Sequence, residues 1–100
     1  MKVLISPGYG SGWSTWNEPK MAVDRRLIQA VERGITEDDM KKLCESLGYE
    51  NPYMRGFATL EVVDVPSGFI FKVEEYDGNE YIKYFNDDEW YMSCGEYYEE

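Results

Sequence analysis

FIFKVEEYDGNEYIKYFN, Phe69 to Asn86, is the stretch whose reading decides the fold. Two runs of β-branched and aromatic residues flank Asp77-Gly78-Asn79, a strong short-range signal for a β-hairpin. Side chains argue the parity of the loop. An even-numbered loop puts Phe71 and Val73 on the face that holds Ile82 and Tyr84, whereas a slip of one residue exchanges the two faces. Two even registers satisfy this. Asp77-Gly78 as a type I′ turn sets Lys72 opposite Lys83 and Glu75 opposite Glu80, both like-charge pairs. Gly78-Asn79 as a type II′ turn sets Glu74 opposite Lys83 and Tyr76 opposite Tyr81. Such pairs differ by a few tenths to about 1 kcal/mol, and that difference favours the type II′ register.

Around the hairpin, 100 residues form a single domain, 1–100, large enough to bury roughly two thirds of the unfolded surface. Nine Tyr, four Phe and three Trp argue against disorder. There is no apolar run near the ~20 residues of a membrane span. Met1-Lys2 leads directly into Val3-Leu4-Ile5 rather than into a secretory signal, so a soluble, cytoplasmic chain is expected. The net charge of −10 is uneven. Residues 1–34 hold five Lys/Arg against three Asp/Glu, while Glu74 to Glu100 holds ten acids against Lys83 alone. A phosphate-binding basic face is therefore not expected, and with it no direct contact to nucleic acid. The acids either keep a Tyr-rich surface soluble or form a face for a basic partner.

Lys2 to Ser6 reads as a strand, and the unbroken Val3-Leu4-Ile5 implies burial on both faces. Pro7 ends it. Gly8, Tyr9, Gly10, Ser11, Gly12, Trp13 and Trp16 then make a Gly-rich, aromatic loop. Alternating glycines after a strand invite comparison with phosphate cradles. The spacing is G-x-G-x-G, however, with neither the Lys-Ser/Thr of a P-loop nor a surrounding βαβ unit. A structural loop is the stronger reading, with glycines at positive φ and Tyr9, Trp13 and Trp16 as core anchors. Binding of a small ligand such as a nucleotide is the alternative.

Asp24 is positioned as a helix N-cap, Leu27, Ile28 and Val31 as the apolar stripe, and Gly34 as the stop. Thr36 with Asp39 approximates a capping box for a second helix, which buries Met40, Leu43, Cys44 and Leu47 and ends at Gly48. Phe57 to Val65 reads as a strand, Val65-Pro66-Ser67-Gly68 as a turn, and Trp90-Tyr91-Met92 as a short last strand. The tail, 94–100, lacks periodicity and is expected to be mobile. The expected fold is α+β: an antiparallel sheet of three to five strands, its meander spanning 57–86, with two short helices on one face.

The chain has no His, and neither Cys44 nor Cys94 stands in a nucleophile or zinc-ligand context. Catalytic residues, metal ligands and cofactors are therefore all expected to be absent. Three segments carry a resemblance: KVLISPGYGSGWSTW (Lys2 to Trp16), VERG (Val31 to Gly34) and EYDGNE around Asp77-Gly78. They resemble a group of small proteins encoded by tailed bacteriophages and prophages, without assigned activity. The sequence after Met92 lies outside the resemblance. What it implies is a phage origin, with the host cytoplasm as the place of action. By analogy with other small acidic phage proteins, the expected role is inhibition of a basic, nucleic-acid-handling host defence protein, in the manner of an anti-CRISPR or anti-restriction DNA mimic. The expected binding residues are Glu74, Glu75, Tyr76, Asp77, Glu80, Tyr81, Asp87, Asp88, Glu89, Trp90 and Tyr91: carboxylates to meet Lys/Arg and aromatic rings to anchor them. A structural or assembly role in the phage particle is a further alternative.

Overall fold

Strand β1 (Lys2–Ile5) runs between two hydrophobic cores in the computed structural model, which describes residues 1–85. Leu4 packs with Trp13, Met21, Leu27, Ile28, Met40, Cys44 and Tyr49. Val3 and Ile5 point the other way, into Ala22, Val65, Phe71 and Val73. Successive side chains of a strand alternate between faces, so a strand with a core on each side needs the unbroken apolar run seen in the sequence.

The first core is closed by helices α1 (Arg25–Glu32) and α2 (Glu37–Ser46). Both begin as their caps dictate. Asp24 accepts a hydrogen bond from the Arg26 N–H, and the Thr36 hydroxyl accepts one from the Asp39 N–H. Single 3-10 turns at Ser14–Trp16 and Pro19–Ala22 lead from β1 to α1. Another, at Phe57–Thr59, precedes strand β2 (Glu61–Asp64). Strands β3 (Ile70–Tyr76) and β4 (Asn79–Phe85) form the hairpin.

The sheet differs from the expected meander. Among the described residues there are two separate antiparallel ladders of two strands each, β1 with β2 and β3 with β4. Residues 57–59 are a 3-10 turn rather than strand, and β2 pairs with β1 from Lys2↔Asp64 to Ile5↔Glu61. The reason lies in β1, a buried strand whose backbone groups must find partners and which β2 supplies. Beyond the side chains of the second core, a backbone link joins the ladders where Pro7 bridges Asn79 and the Glu80 N–H donates to the Ser6 carbonyl at 3.1 Å. The candidate strand at Trp90-Tyr91-Met92 and the tail 94–100 lie outside the described residues.

The hairpin has the expected even parity, but the turn is Asp77-Gly78. Tyr76 pairs with Asn79, Lys72 with Lys83, and Glu75 with Glu80. Both turn residues have positive φ, 52° and 83°, as type I′ requires. Of the two like-charge pairs that argued against this register, Lys72 and Lys83 remain opposite. Lys72 is paired to Glu74 at 3.4 Å and Lys83 lies over the Phe85 ring, and the Glu75–Glu80 cost is avoided. The Glu75 carboxylate turns back to the Gly78 N–H at 2.6 Å, and the Glu80 carboxylate leaves the sheet altogether.

Candidate functional site

Glu80 points into the Gly-rich loop. It stands on the same face of β4 as Ile82, and its side chain is 1% exposed. One carboxylate oxygen accepts the Ser6 N–H at 2.8 Å. The other accepts the N–H groups of Trp13 at 2.7 Å and Thr15 at 3.0 Å, and the Thr15 hydroxyl at 2.6 Å. Hydrogen bonds to a charged acceptor are about twice as strong as neutral ones, and four of them compensate the burial of a charge that would otherwise be costly. Thus the loop does cradle an anion, and the anion is the chain's own.

The rest of the loop is tied to the hairpin turn. Gly10 N–H donates to the Asp77 carbonyl and Gly12 N–H to that of Gly78, the latter at 2.7 Å. Gly78 makes this approach possible, because a Cβ there would stand 2.8 Å from the Ser11 nitrogen and 3.0 Å from the Gly10 carbonyl carbon. Asn17 braces the far side of the loop. Its amide donates to the carbonyls of Trp13 and Tyr53, and its carbonyl accepts the Tyr53 N–H at 2.7 Å. Trp13 is the one core anchor among the three aromatic residues expected to be so, fully buried with its indole N–H on the Met21 carbonyl. Tyr9 is instead 70% exposed, and Trp16 lies partly exposed against Tyr53.

The two stretches singled out in the sequence, loop 8–16 and hairpin 74–81, therefore meet at the hairpin turn. There Tyr9 and Tyr76, both about 70% exposed, stand edge to face with centroids 6.4 Å apart. Asp77 and Glu75 are exposed beside them. Glu74 is half-buried between Lys72 at 3.4 Å and the Tyr81 hydroxyl at 3.1 Å. That hydrogen bond to the carboxylate, more than anything else, raises the pKa of Tyr81. Glu80 is removed from the expected binding face by its burial. Asp87, Asp88, Glu89, Trp90 and Tyr91 lie outside the described residues.

Sequence reasoning missed the roles of Glu80, Ser6, Thr15, Asn17 and Tyr53. One signal for Glu80 was present. Even parity places it on the inner face with Ile82 and Tyr84, where a carboxylate needs donors, and a Gly-rich loop exposes N–H groups.

A second polar cluster lies at the start of α1. Arg26 grips the Asp24 carboxylate through Nε and Nη2, and the Tyr49 hydroxyl donates to it at 2.8 Å. The Arg26 bond outweighs burial and holds the Asp24 carboxyl at about 2, while burial and this acceptor push Tyr49 up to about 12. Burial likewise pushes the Cys44 thiol up to about 11, so it remains a protonated core residue. A cleft of about 790 Å³ beside α1 is lined by Lys2, Arg25, Ile28 and Glu32, with Lys2 paired to Glu32 at 2.6 Å. Among the described residues, no three Asp, Glu, Cys or His form a group able to hold a metal ion, and no helix is long and apolar enough to cross a membrane. No family model, curated protein or solved structure matches the chain.

Proposed function

We propose that this chain is a non-enzymatic interaction protein that occludes a basic surface of another protein. The partner is of the nucleic-acid-handling kind, as the resemblance to phage-encoded proteins suggests, so the chain would act as an acidic mimic of DNA. The observation that supports this reading is the exposed Tyr9–Tyr76 pair beside Asp77 and Glu75, on a hairpin tip held by buried bonds. Exposed ion pairs contribute only about 0–1 kcal/mol each, so carboxylates alone would steer an encounter without keeping it. Rigid aromatic side chains supply about 2 kcal/mol or more apiece where they reach a pocket. Asp87, Asp88 and Glu89 extend the acidic run in sequence and belong to the same proposal.

Sequestration of a small anion by loop 8–16 has less behind it. The N–H groups of Gly8, Gly10, Ser11, Gly12, Trp13 and Thr15 are already donated to internal acceptors. The test is to capture partners from host lysate with the tagged chain and to elute with duplex DNA. Tyr9→Ala and Tyr76→Ala should then speed dissociation of the eluted partner at least tenfold, and Asp77→Asn should mainly slow association and flatten its salt dependence. Captured proteins that DNA does not displace, or rates unchanged in both Tyr variants, would sink the reading.

A further inference from the structure

We infer that segment Ser6–Thr15 is a binding site for a small carboxylate, which the chain fills in cis with Glu80. Four donors converge on two oxygens in a closed space: Ser6 N–H on one, and Trp13 N–H, Thr15 N–H and the Thr15 hydroxyl on the other. Three of the four are backbone N–H groups, and two of the three residues that supply them are held by bonds that do not involve the carboxylate. Trp13 is fixed through its carbonyl by Asn17 and through its indole by Met21. Ser6 is fixed through its hydroxyl by the Gly56 carbonyl at 2.7 Å. Asn17 is itself locked to Tyr53. The Trp13 and Ser6 donors are thus held in place independently of their ligand, which distinguishes a preorganised site from a chance cluster of bonds.

The donor set also selects the ligand class. Among the described residues, Glu80 is ion-paired with no Lys or Arg. The donors meet two oxygens of one planar group, one bond on the first and three on the second, which is the arrangement a carboxylate presents. In the parent Glu80 occupies the site, so an external carboxylate enters only where that side chain is removed, the turn remaining tied to the loop through the Gly10 and Gly12 N–H groups.

The test empties the site and offers it a free ligand. In Glu80→Ala, formate or acetate at a few hundred millimolar should raise the melting temperature about 4–8 °C above sodium chloride of equal ionic strength. The parent should show no such difference. In Glu80→Gln, whose amide fills the space, the carboxylate effect should be lost. In ¹⁵N spectra of Glu80→Ala, formate should move the Trp13 and Thr15 amide resonances in a saturable manner. If Glu80→Ala is unfolded in plain buffer, the folded fraction by circular dichroism is read instead, and formate must raise it more than chloride does. Equal effects of formate and chloride in that variant overturn the proposal, as does an equal formate effect in the parent. Stronger stabilisation by phosphate than by formate overturns the ligand class.

Discussion

Trp13 donates its backbone N–H to the Glu80 carboxylate at 2.7 Å, across 67 residues of sequence. Trp13 belongs to the core under the helices, and Glu80 to the hairpin whose Phe71 and Val73 fill the other core. A single buried carboxylate thereby ties the two halves of the molecule together, alongside strand β1, which passes between them.

Replacing that carboxylate by an amide of equal size isolates its charge. Glu80→Gln keeps one acceptor oxygen but turns an NH₂ group toward backbone donors. The expected loss is at least about 2 kcal/mol in urea denaturation, since hydrogen bonds to charged groups are worth about 1.5–3 kcal/mol and the orphaned donors stay buried. A stability within about 0.5 kcal/mol of the parent would show that Glu80 is not a structural tie.

Gly78 and Gly68 form a matched pair for separating backbone strain from crowding. Both have positive φ, 83° and 88°, but a Cβ on Gly68 meets nothing within 4 Å. Gly68→Ala should cost about 1–2 kcal/mol, the penalty of the left-handed region alone. Gly78→Ala should cost about 1–3 kcal/mol more, because its Cβ presses on the Ser11 and Gly10 backbone. Equal melting temperatures for the two variants would contradict the close packing of loop and turn.

Trp13 and Trp16 are three residues apart and differ in burial. Trp13→Ala should cost about 3–5 kcal/mol through the cavity it leaves. Trp16 is 39% exposed, and its replacement by Ala should cost about 1–2 kcal/mol from its smaller buried area. Chemical denaturation of each variant decides the order.

Stability should fall in acid through Asp24. Its carboxyl is held at about 2 in the folded chain, against 3.8 ordinarily, so the unfolded state takes up its proton first. The contribution is complete above about pH 4 and fades as the pH drops toward 2. With allowance for solvent screening it is about 1–2 kcal/mol. The stability gap between the parent and Asp24→Asn, measured from pH 6 down to pH 2, should therefore close at the acid end. A gap that persists unchanged at pH 2 would assign it to packing.

Much of the architecture was legible because it is encoded over short distances. Asp24 and Thr36 cap the helices they precede, and Gly34 and Gly48 stop them with φ of 79° and 95°. The Val3-Leu4-Ile5 run announced a strand covered on both sides, and alternation along 71–84 set the parity of the hairpin. These features depend on neighbours within a turn or on a two-residue period, which a linear reading can see.

The tertiary structure decided the partner of β2, the turn register and the fate of Glu80. Local pair energies separate the two registers by about 1 kcal/mol at most. Four hydrogen bonds from Ser6, Trp13 and Thr15, residues 65–74 positions away, outweigh that difference and draw the chain into the type I′ turn. The acid that read as part of a binding face is thereby buried, and Tyr9, which read as a core anchor, is brought out beside Tyr76. Charge and composition along the chain specify how many carboxylates there are, but which of them meets solvent depends on donors that only folding brings near.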